Sequence, residues 1–198
     1  MTERVLGAVL AAGESTRFGA PKQALIIDAE TLLARAVDRV AAATGEAPLV
    51  VVGARAEQMI DLLQDRSCLI AVNRHWQDGM GSSVAVAAAS APPGIAGILL
   101  AVADMPNVTS THYRTLIEAF RRTPRAAVAA EYPDGAGIPA IIPAGDCASL
   151  ATLTGPTGAR NWLREREVRT VVHLGDAALD IDTPDDWAEF LQRSTSSP

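Results

Sequence analysis

Residues 5–22 read VLGAVLAAGESTRFGAPK, and this stretch decides the fold. Residues 5–12 are apolar throughout, which is typical of a β-strand that is covered on both faces of a sheet. A loop that contains Gly13 and Gly19 follows at once. Because ligands bind beyond the carboxyl ends of the strands in parallel α/β sheets, this loop is in the position of a phosphate-binding loop.

Apolar runs of strand length recur along the chain, and helical patterns lie between them. The predicted strands cover residues 5–12, 48–53, 68–72, 97–103, 126–132, 139–143 and 168–174. The predicted helices cover residues 31–43, 56–64, 82–90 and 110–122. Ser82 or Ser83 can cap the third helix, and Thr109 or Ser110 the fourth. We therefore predict an α/β protein, a Rossmann-like three-layer sandwich with a mostly parallel sheet and helices on both faces.

The composition and the net charge limit the classes of protein to which this chain can belong. The 198 residues are 48% hydrophobic and 20% charged, with a formal net charge of −6. We expect one soluble globular domain, residues 1–192, and a frayed tail, residues 193–198. The acidic balance argues against non-specific binding to nucleic acid or to an anionic membrane, because both need a basic face. Cys68 and Cys147 form no CxxC pair, and no segment has the pattern of a signal peptide or a membrane span, so a cytoplasmic location is expected.

The cations of the glycine loop are its most specific feature. Of 17 basic residues, Lys22 is the only lysine. An ammonium is a compact point charge and a guanidinium is a flat fork, so a site that needs one cation between crowded oxygens favours lysine. With Arg17 and the backbone around Gly13, Lys22 predicts a cradle for a triphosphate, the alternative being an ordinary turn with surface cations. The spacing matches neither the Walker GxxxxGK loop nor the GxGxxG dinucleotide fingerprint.

Carboxylates end two later segments of the chain. Asp104 follows the predicted strand at 97–103, where it can hold Mg²⁺ opposite a triphosphate or simply cap a helix. Asp180 and Asp182 alternate along an extended segment, so both side chains point to the same side. Either could supply a second contact to the metal, and Asp182 could instead cap the helix that starts near Pro184.

The segment GMGSS, residues 79–83, is suited to a flat base. Gly79 and Gly81 allow close approach of the backbone, and Ser82 and Ser83 can hydrogen bond to a base edge. The neighbouring His75–Trp76 pair is interpreted as packing or surface, without a catalytic role.

Five segments together resemble the signature motifs of the nucleotidyltransferases of the molybdenum-cofactor type. LAAGESTRFGAPK resembles the family's LAAGxSxRxGxPK, and the other segments resemble its base-binding, metal, acceptor-side and closing motifs. These are NRHWQDGMGSSVAVA (73–87), VADMP (102–106), GIPAIIP (137–143) and DIDTPDDW (180–187). The segments come in the family's order.

The resemblance implies the nucleotide-diphospho-sugar transferase type of fold and a reaction. A nucleotidyl group passes from a nucleoside triphosphate to an acceptor, molybdopterin by default, with Mg²⁺ as cofactor and pyrophosphate as the product released. The catalytic residues are then Lys22, Arg17 and Asp104, and the metal residues Asp104, Asp180 and Asp182. The nucleotide-binding residues are Leu10, Ala11, Ala12, Gly13, Arg17, Lys22, Gly53, Asn73, Gly79, Met80, Ser82 and Ser83. The acceptor-side residues are Gly137, Pro139, Gly158 and Arg160.

Three positions bear on which base and which acceptor are used. Ala12 stands where guanylyl-transferring relatives typically carry glycine, and its methyl group favours CTP over GTP. Ile138 and Pro156 stand where cytidylyltransferase relatives usually carry His and Asp, and both departures are interpreted as lying on the acceptor side. A guanylyltransferase and a sugar- or polyol-phosphate cytidylyltransferase are therefore the alternatives. Outside the class stand a nucleotide-binding accessory protein without turnover and a Rossmann oxidoreductase, which the missing GxGxxG disfavours.

Overall fold

A seven-stranded sheet forms the middle layer of the protein. The structure, a computed structural model, describes residues 4–123, 125–133, 135–166 and 170–195. The strands in this part of the chain are β1 (Val5–Ala11), β2 (Ile26–Ile27), β3 (Glu30–Thr31), β4 (Leu49–Val52), β5 (Leu69–Val72), β6 (Gly97–Val102), β7 (Val128–Tyr132), β8 (Gly135–Pro143) and β9 (Thr170–Val172). The order across the sheet is β5-β4-β1-β6-β8-β7-β9, and β2 and β3 form a separate hairpin.

The sheet is parallel apart from one strand. β8 runs antiparallel to both of its neighbours, β6 and β7, and the other pairings in the sheet are parallel. The prediction of a mostly parallel sheet is confirmed. β1 lies between β4 and β6, so the loop after it opens at the middle of the sheet's carboxyl edge.

Helices cover both faces of the sheet. They are α1 (Leu32–Thr44), α2 (Ala56–Asp61), α3 (Met80–Ala89), α4 (Ser110–Arg122), α5 (Cys147–Leu150), α6 (Arg160–Glu165) and α7 (Pro184–Thr195). Successive side chains of β1 alternate between two buried clusters. Val5 and Val9 pack with α1 and α4 in one, and Leu6 and Leu10 pack with α3 and α6 in the other. These three layers confirm the predicted sandwich.

Two helix ends differ from their predictions. α3 begins at Met80, with Gly79 at its N-cap, so the prediction that Ser82 or Ser83 caps this helix is wrong. The physical reason is that both hydroxyls lie within the first turn and accept hydrogen bonds from the side chain of Asn73. α2 ends at Asp61, earlier than the predicted residue 64. The predicted Thr109 cap of α4 is confirmed, as part of a capping box with His112.

The last helix is capped by a residue that was not predicted. The Thr183 hydroxyl accepts from the Asp186 N–H at 3.2 Å, and the Asp186 carboxylate accepts from the Thr183 and Asp182 N–H groups at 2.7 and 3.0 Å. The Asp182 side chain is thus left for other contacts. α7 includes residues 193–195, predicted to be frayed, because an Arg193–Glu189 ion pair supports its last turn. Residues 196–198 and the first two residues of the predicted strand 168–174 lie outside the described residues. No helix in the described part of the chain is long and apolar enough to cross a membrane.

Candidate functional site

A cavity of about 480 Å³ opens at the carboxyl ends of β1 and β6. Its walls come from the glycine loop, the start of α3, the loop around Pro156 and the segment before α7. Of the predicted site residues, the lining contains Leu10, Ala12, Gly13, Arg17, Lys22, Gly79, Met80, Ser83, Asp104, Asp180 and Asp182. The fold therefore gathers segments that are up to 172 positions apart in the sequence.

The glycine loop is folded by contacts within itself. Ser15 has a φ of 58°, in the left-handed region, and its carbonyl accepts from the N–H groups of Phe18 and Gly19 at 3.0 and 3.1 Å. Gln23, which is buried, donates from Nε2 to the Gly13 carbonyl at 3.0 Å and accepts at Oε1 from the Ser15 hydroxyl at 3.2 Å. Sequence reasoning missed Gln23, since a glutamine after a lysine carries no pattern of its own.

The cations of the loop meet two carboxylates. The Lys22 Nζ lies 2.5 Å from Oδ2 of Asp104 and 2.8 Å from Oδ1 of Asp182. The Lys22 side chain is 14% exposed. Its burial lowers the lysine pKa, but the charges and hydrogen bonds of Asp104 and Asp182 outweigh burial, and the net pKa lies above its usual value. Lys22 is therefore charged throughout the physiological range.

Arg17 extends the same cluster toward solvent. Its Nη2 lies 2.7 Å from the second carboxylate oxygen of Asp182, and its side chain is 72% exposed. The Ile181 N–H donates to the Asp104 carbonyl at 2.9 Å, which holds the segment of Asp182 against the end of β6. Two cations and two carboxylates thus form one chain of contacts at the mouth of the cavity.

Asp180 lies beside this cluster, and among the described residues no ion pair joins its carboxylate to a cation. Burial raises the pKa of its carboxyl, and the negative charges of Asp104 and Asp182 raise it further. Added positive charge at this position would offset both effects. Asp180 also lines a second cavity of about 470 Å³, between α7 and the loop at Pro106 and Asn107.

Residues 79–83, predicted to bind the base, are hydrogen bonded to the loop that contains Pro156. Gly81 N–H donates to the Gly155 carbonyl at 2.9 Å, and Gly155 N–H donates to the Asp78 carbonyl at 2.8 Å. A Cβ at Gly79 would lie 2.6 Å from the carbonyl carbon of Gly155, so glycine is required for this close approach. Pro156 lines the cavity together with Met80. Position 156, which was interpreted as lying on the acceptor side, is held beside the start of α3 by these hydrogen bonds.

The polar residues of the base segment have different surroundings. Asn73 donates from Nδ2 to the hydroxyls of Ser82 and Ser83 at 2.8 and 3.0 Å, and all three are buried. The Ser82 hydroxyl also contacts the carbonyls of His75 and Gly79. Ser83 lines the cavity, whereas Asn73 and Ser82 lie behind its wall.

The family model for the MobA-like NTP transferase domain matches residues 7–171. The chain belongs to the MobA-like NTP transferase family. The resemblance drawn from its motifs is confirmed. The protein is 31% identical over 197 residues to nicotine blue oxidoreductase of Paenarthrobacter nicotinovorans, a match that covers 94% of this chain and 96% of that protein.

Solved structures similar to this MobA-like protein include Rv0371c of Mycobacterium tuberculosis H37Rv. Its crystal structure is 28% identical, with a TM-score of 0.82 over 97% of this chain and 100% of that chain. A second crystal structure of Rv0371c, in complex with manganese, is also 28% identical, with a TM-score of 0.79 over 96% of this chain and 98% of that chain.

The carboxylates of this MobA-like domain fit a divalent cation as a pair. Among the described residues, no group of three or more His, Cys, Asp or Glu side chains is arranged to hold a metal ion. Oxygens of Asp104 and Asp182 nevertheless converge on one cation, the Lys22 ammonium. Hard oxygen ligands suit Mg²⁺ and Mn²⁺, and Mg²⁺ usually takes one or two carboxylates and completes its shell with water and phosphate oxygens. The donor set therefore fits a metal that is shared with a triphosphate.

The residues predicted on the acceptor side lie apart from the cavity lining. Gly137 and Pro139 are in β8, and Arg160 begins α6, where its guanidinium lies 5.9 Å from the centre of the Tyr132 ring. The Tyr132 hydroxyl donates to the Ile138 carbonyl at 2.5 Å and lies 3.8 Å from the sulfur of Met105. Tyr132, which was not predicted, thus connects this group to the residue after Asp104.

Three further predicted site residues are outside the cavity lining. Gly158 faces Met80, since a Cβ there would lie 2.8 Å from the methionine sulfur. Gly53 packs behind Ala12 and Trp76, where a Cβ would lie 2.8 and 2.7 Å from their Cβ atoms. Ala11 is the last residue of β1 and is buried. Trp76, interpreted as packing or surface, lines the cavity.

Proposed function

We propose that this MobA-like NTP transferase moves a nucleotidyl group, CMP from CTP in preference to GMP from GTP, to a phosphate-bearing acceptor. Molybdopterin is the first candidate for the acceptor. The observation that carries the proposal is the contact of Lys22 with both Asp104 and Asp182, at 2.5 and 2.8 Å, beside the glycine loop. One ammonium, one guanidinium and a backbone loop supply positive charge for a triphosphate, and the carboxylates supply oxygens for its metal.

The chemistry needs little covalent work from side chains. An oxygen of the acceptor phosphate attacks the α-phosphorus, the bond from this phosphorus to the α,β-bridging oxygen breaks, and pyrophosphate leaves with the bond electrons. Lys22 and Arg17 offset charge on the α-phosphoryl group and on the departing pyrophosphate. The acceptor phosphate is largely ionised at neutral pH, so no general base is required.

Asp104 is the proposed principal metal ligand, with Asp182 or Asp180 as the second. The cation, Mg²⁺ in this proposal, would neutralise phosphate charge when bound. The manganese complex of Rv0371c, a protein 28% identical to this one, supports a divalent metal. Raised pKa at Asp180 is consistent with a position that gains from added positive charge.

The proposed choice of base depends on Ala12. This residue lines the cavity and is 4% exposed, and its methyl group takes space at the end of β1. A two-ring base would lose more from that methyl group than a one-ring base. Gly79, Met80 and Pro156 line the same cavity.

The acceptor is proposed to approach from the side of Gly137, Pro139, Gly158 and Arg160. Support comes from Tyr132, whose hydroxyl lies 3.8 Å from the Met105 sulfur and whose ring lies near Arg160. Tyr132 therefore contacts both the arginine proposed for the acceptor and the residue that follows Asp104. A sugar phosphate or a polyol phosphate is the alternative acceptor class.

The test is a panel of CTP, GTP, ATP and UTP, each with Mg²⁺ or Mn²⁺ and with molybdopterin, a sugar phosphate or a polyol phosphate, in which pyrophosphate and the product mass are measured. Pyrophosphate release with CTP and a product that contains CMP and the acceptor supports the proposal. Release only with a sugar or polyol phosphate selects the alternative acceptor. Tight NTP binding without pyrophosphate from any acceptor identifies a nucleotide-binding accessory protein.

An oxidoreductase is the second candidate function, favoured by the name of one relative. Nicotine blue oxidoreductase is 31% identical to this chain and is matched over 96% of its length. The glycine loop of the present protein lacks the GxGxxG pattern of a dinucleotide fold. Titration with reduced nicotinamide and flavin cofactors, followed by absorbance, separates the two candidates. Cofactor binding and oxidation without pyrophosphate formation would replace the transferase proposal.

A further inference from the structure

A buried glutamine spans the glycine loop and is among the residues that line the cavity. Gln23 is 5% exposed, although its side chain is polar. Both ends of its amide are engaged within the loop, Nε2 with the Gly13 carbonyl at 3.0 Å and Oε1 with the Ser15 hydroxyl at 3.2 Å. A buried amide with both ends satisfied has one favoured orientation. The two anchor points are therefore held at a fixed separation.

The Gly13 contact sets the direction of a peptide group. The peptide bond is planar and trans, so its carbonyl and the following N–H point in opposite directions. With the Gly13 carbonyl turned to Gln23, the N–H of Glu14 is turned away from it. Backbone N–H groups with a common orientation make a site for oxyanions. The hydrogen bond from Gln23 to the Gly13 carbonyl thus fixes the direction of the Glu14 N–H group.

The Ser15 contact connects the loop to Lys22. Ser15 has a φ of 58°, a conformation that residues other than glycine adopt infrequently. Its hydroxyl donates to Gln23 and accepts from the Lys22 N–H at 3.3 Å. This three-residue bridge holds the left-handed turn and the backbone of Lys22 together. Lys22 Nζ then reaches Asp104 and Asp182.

We infer that Gln23 is a positioning residue for the transfer reaction: it holds residues 13–15 and Lys22 in the arrangement that receives the triphosphate. The inference rests on the proposed function, because a triphosphate is the ligand that it names. If Gln23 only filled space in the interior, its replacement by an apolar side chain of the same length would leave ligand affinity unchanged.

The first experiment measures binding of inorganic tripolyphosphate with Mg²⁺ by calorimetry, using the full chain. Gln23→Met keeps the length of the side chain and removes both hydrogen bonds. We expect about 10-fold weaker binding for this variant, the usual cost of a loosened polar contact in a binding site. The matched control is Gln58→Met, on the exposed surface of α2, which should bind as the wild type does.

A second variant breaks the same bridge from its other end. Ser15→Gly removes the hydroxyl, and glycine adopts the left-handed conformation without strain. It should also weaken binding, and the double variant should lose less than the sum of the two single losses, because both changes remove the Ser15–Gln23 hydrogen bond. This variant carries the test if Gln23→Met does not fold. Turnover assays of the same proteins should show a higher KM for the nucleotide and an unchanged KM for the acceptor.

The outcomes separate the inference from the function on which it rests. If the wild type binds neither tripolyphosphate nor any NTP, the proposed function is overturned, and the role of Gln23 with it. If the wild type binds tripolyphosphate and Gln23→Met binds it equally well, only the positioning role of Gln23 is overturned. Where Gln23→Met does not fold, equal binding by Ser15→Gly has the same meaning. Additive losses in the double variant would also contradict a shared bridge.

Discussion

The ammonium of Lys22 lies 2.8 Å from a carboxylate oxygen of Asp182, a residue 160 positions later in the chain. Asp104 lies on the other side of the same ammonium at 2.5 Å. The only lysine of the protein is thus placed where a metal-bound triphosphate would need both a cation and carboxylate oxygens. Each of these contacts can be tested by substitution.

Lys22→Ala should lower turnover about 100-fold or more, because the lost ammonium would stabilise charge that develops in the transition state. Lys22→Arg should fail as well, since a flat guanidinium spreads its charge over a wider fork than the compact ammonium that contacts both Asp104 and Asp182. Pyrophosphate release gives the rate, and circular dichroism checks that both variants fold. Equal turnover in the wild type and Lys22→Arg would contradict this account of the lysine.

Asp104→Asn should abolish metal-dependent transfer while the melting temperature changes little, since Asp104 lies at the end of the sheet and its side chain is 19% exposed. The measurement is pyrophosphate release over a range of Mg²⁺ and Mn²⁺ concentrations. Asp65→Asn, at an exposed position outside the site, is the control. Normal rates at every metal concentration would mean that the metal is held elsewhere.

Gly79→Ala should destabilise the protein by more than the strain of its backbone alone. Gly79 has a φ of +91°, and its new Cβ would lie 2.6 Å from the carbonyl group of Gly155. Gly94 has a similar φ of +82° and nothing within 4 Å of its Cβ position, so Gly94→Ala is a matched control for strain. We expect a loss of about 1 kcal/mol for the control and about 1–3 kcal/mol more for Gly79→Ala. Urea denaturation measures both, and equal losses would show that the 155–158 loop gives way freely.

Pro156→Ala should raise the KM for the nucleotide and leave the KM for the acceptor unchanged. The reason is the position of Pro156 in the wall of the cavity that is proposed to receive the nucleotide, held there by the hydrogen bonds of Gly155. Steady-state kinetics with each substrate varied in turn supply both constants. If only the KM for the acceptor changed, the loop that contains Pro156 would belong to the acceptor side.

Ala12→Gly should narrow the preference for CTP over GTP without abolishing transfer. Removal of one methyl group from the cavity wall changes discrimination by about 1–3 kcal/mol at most. Competition between CTP and GTP at equal concentration measures the ratio directly. A wild-type enzyme that consumes GTP faster would reverse the assignment and identify a guanylyltransferase.

Much of the molecule follows from patterns within short stretches of sequence. The apolar run of β1, the glycine loop after it and the lone Lys22 are local features, and each predicted strand has its counterpart in the described sheet. The three layers were predicted because the hydrophobic period selects strand or helix, and because strands that alternate with helices form parallel sheets. The family was indicated separately, by the resemblance of five motif segments in their order along the chain.

Which side chains share a cavity was decided only by the tertiary structure. Gln23 has no distinguishing pattern, yet the turn at Ser15 makes it the buried support of the loop. The hydroxyl of Ser82, predicted to bond to a base edge, donates to the carbonyls of His75 and Gly79. Pro156 lines the same cavity as Met80, which lies 76 positions earlier in the chain. Local periodicity specifies which face of an element is buried, but the partners of a polar side chain depend on the order of strands in the sheet and on the path of loops between them. Those are set by the packing of the whole chain, because a buried polar group takes whichever partner the folded backbone brings within hydrogen-bonding distance.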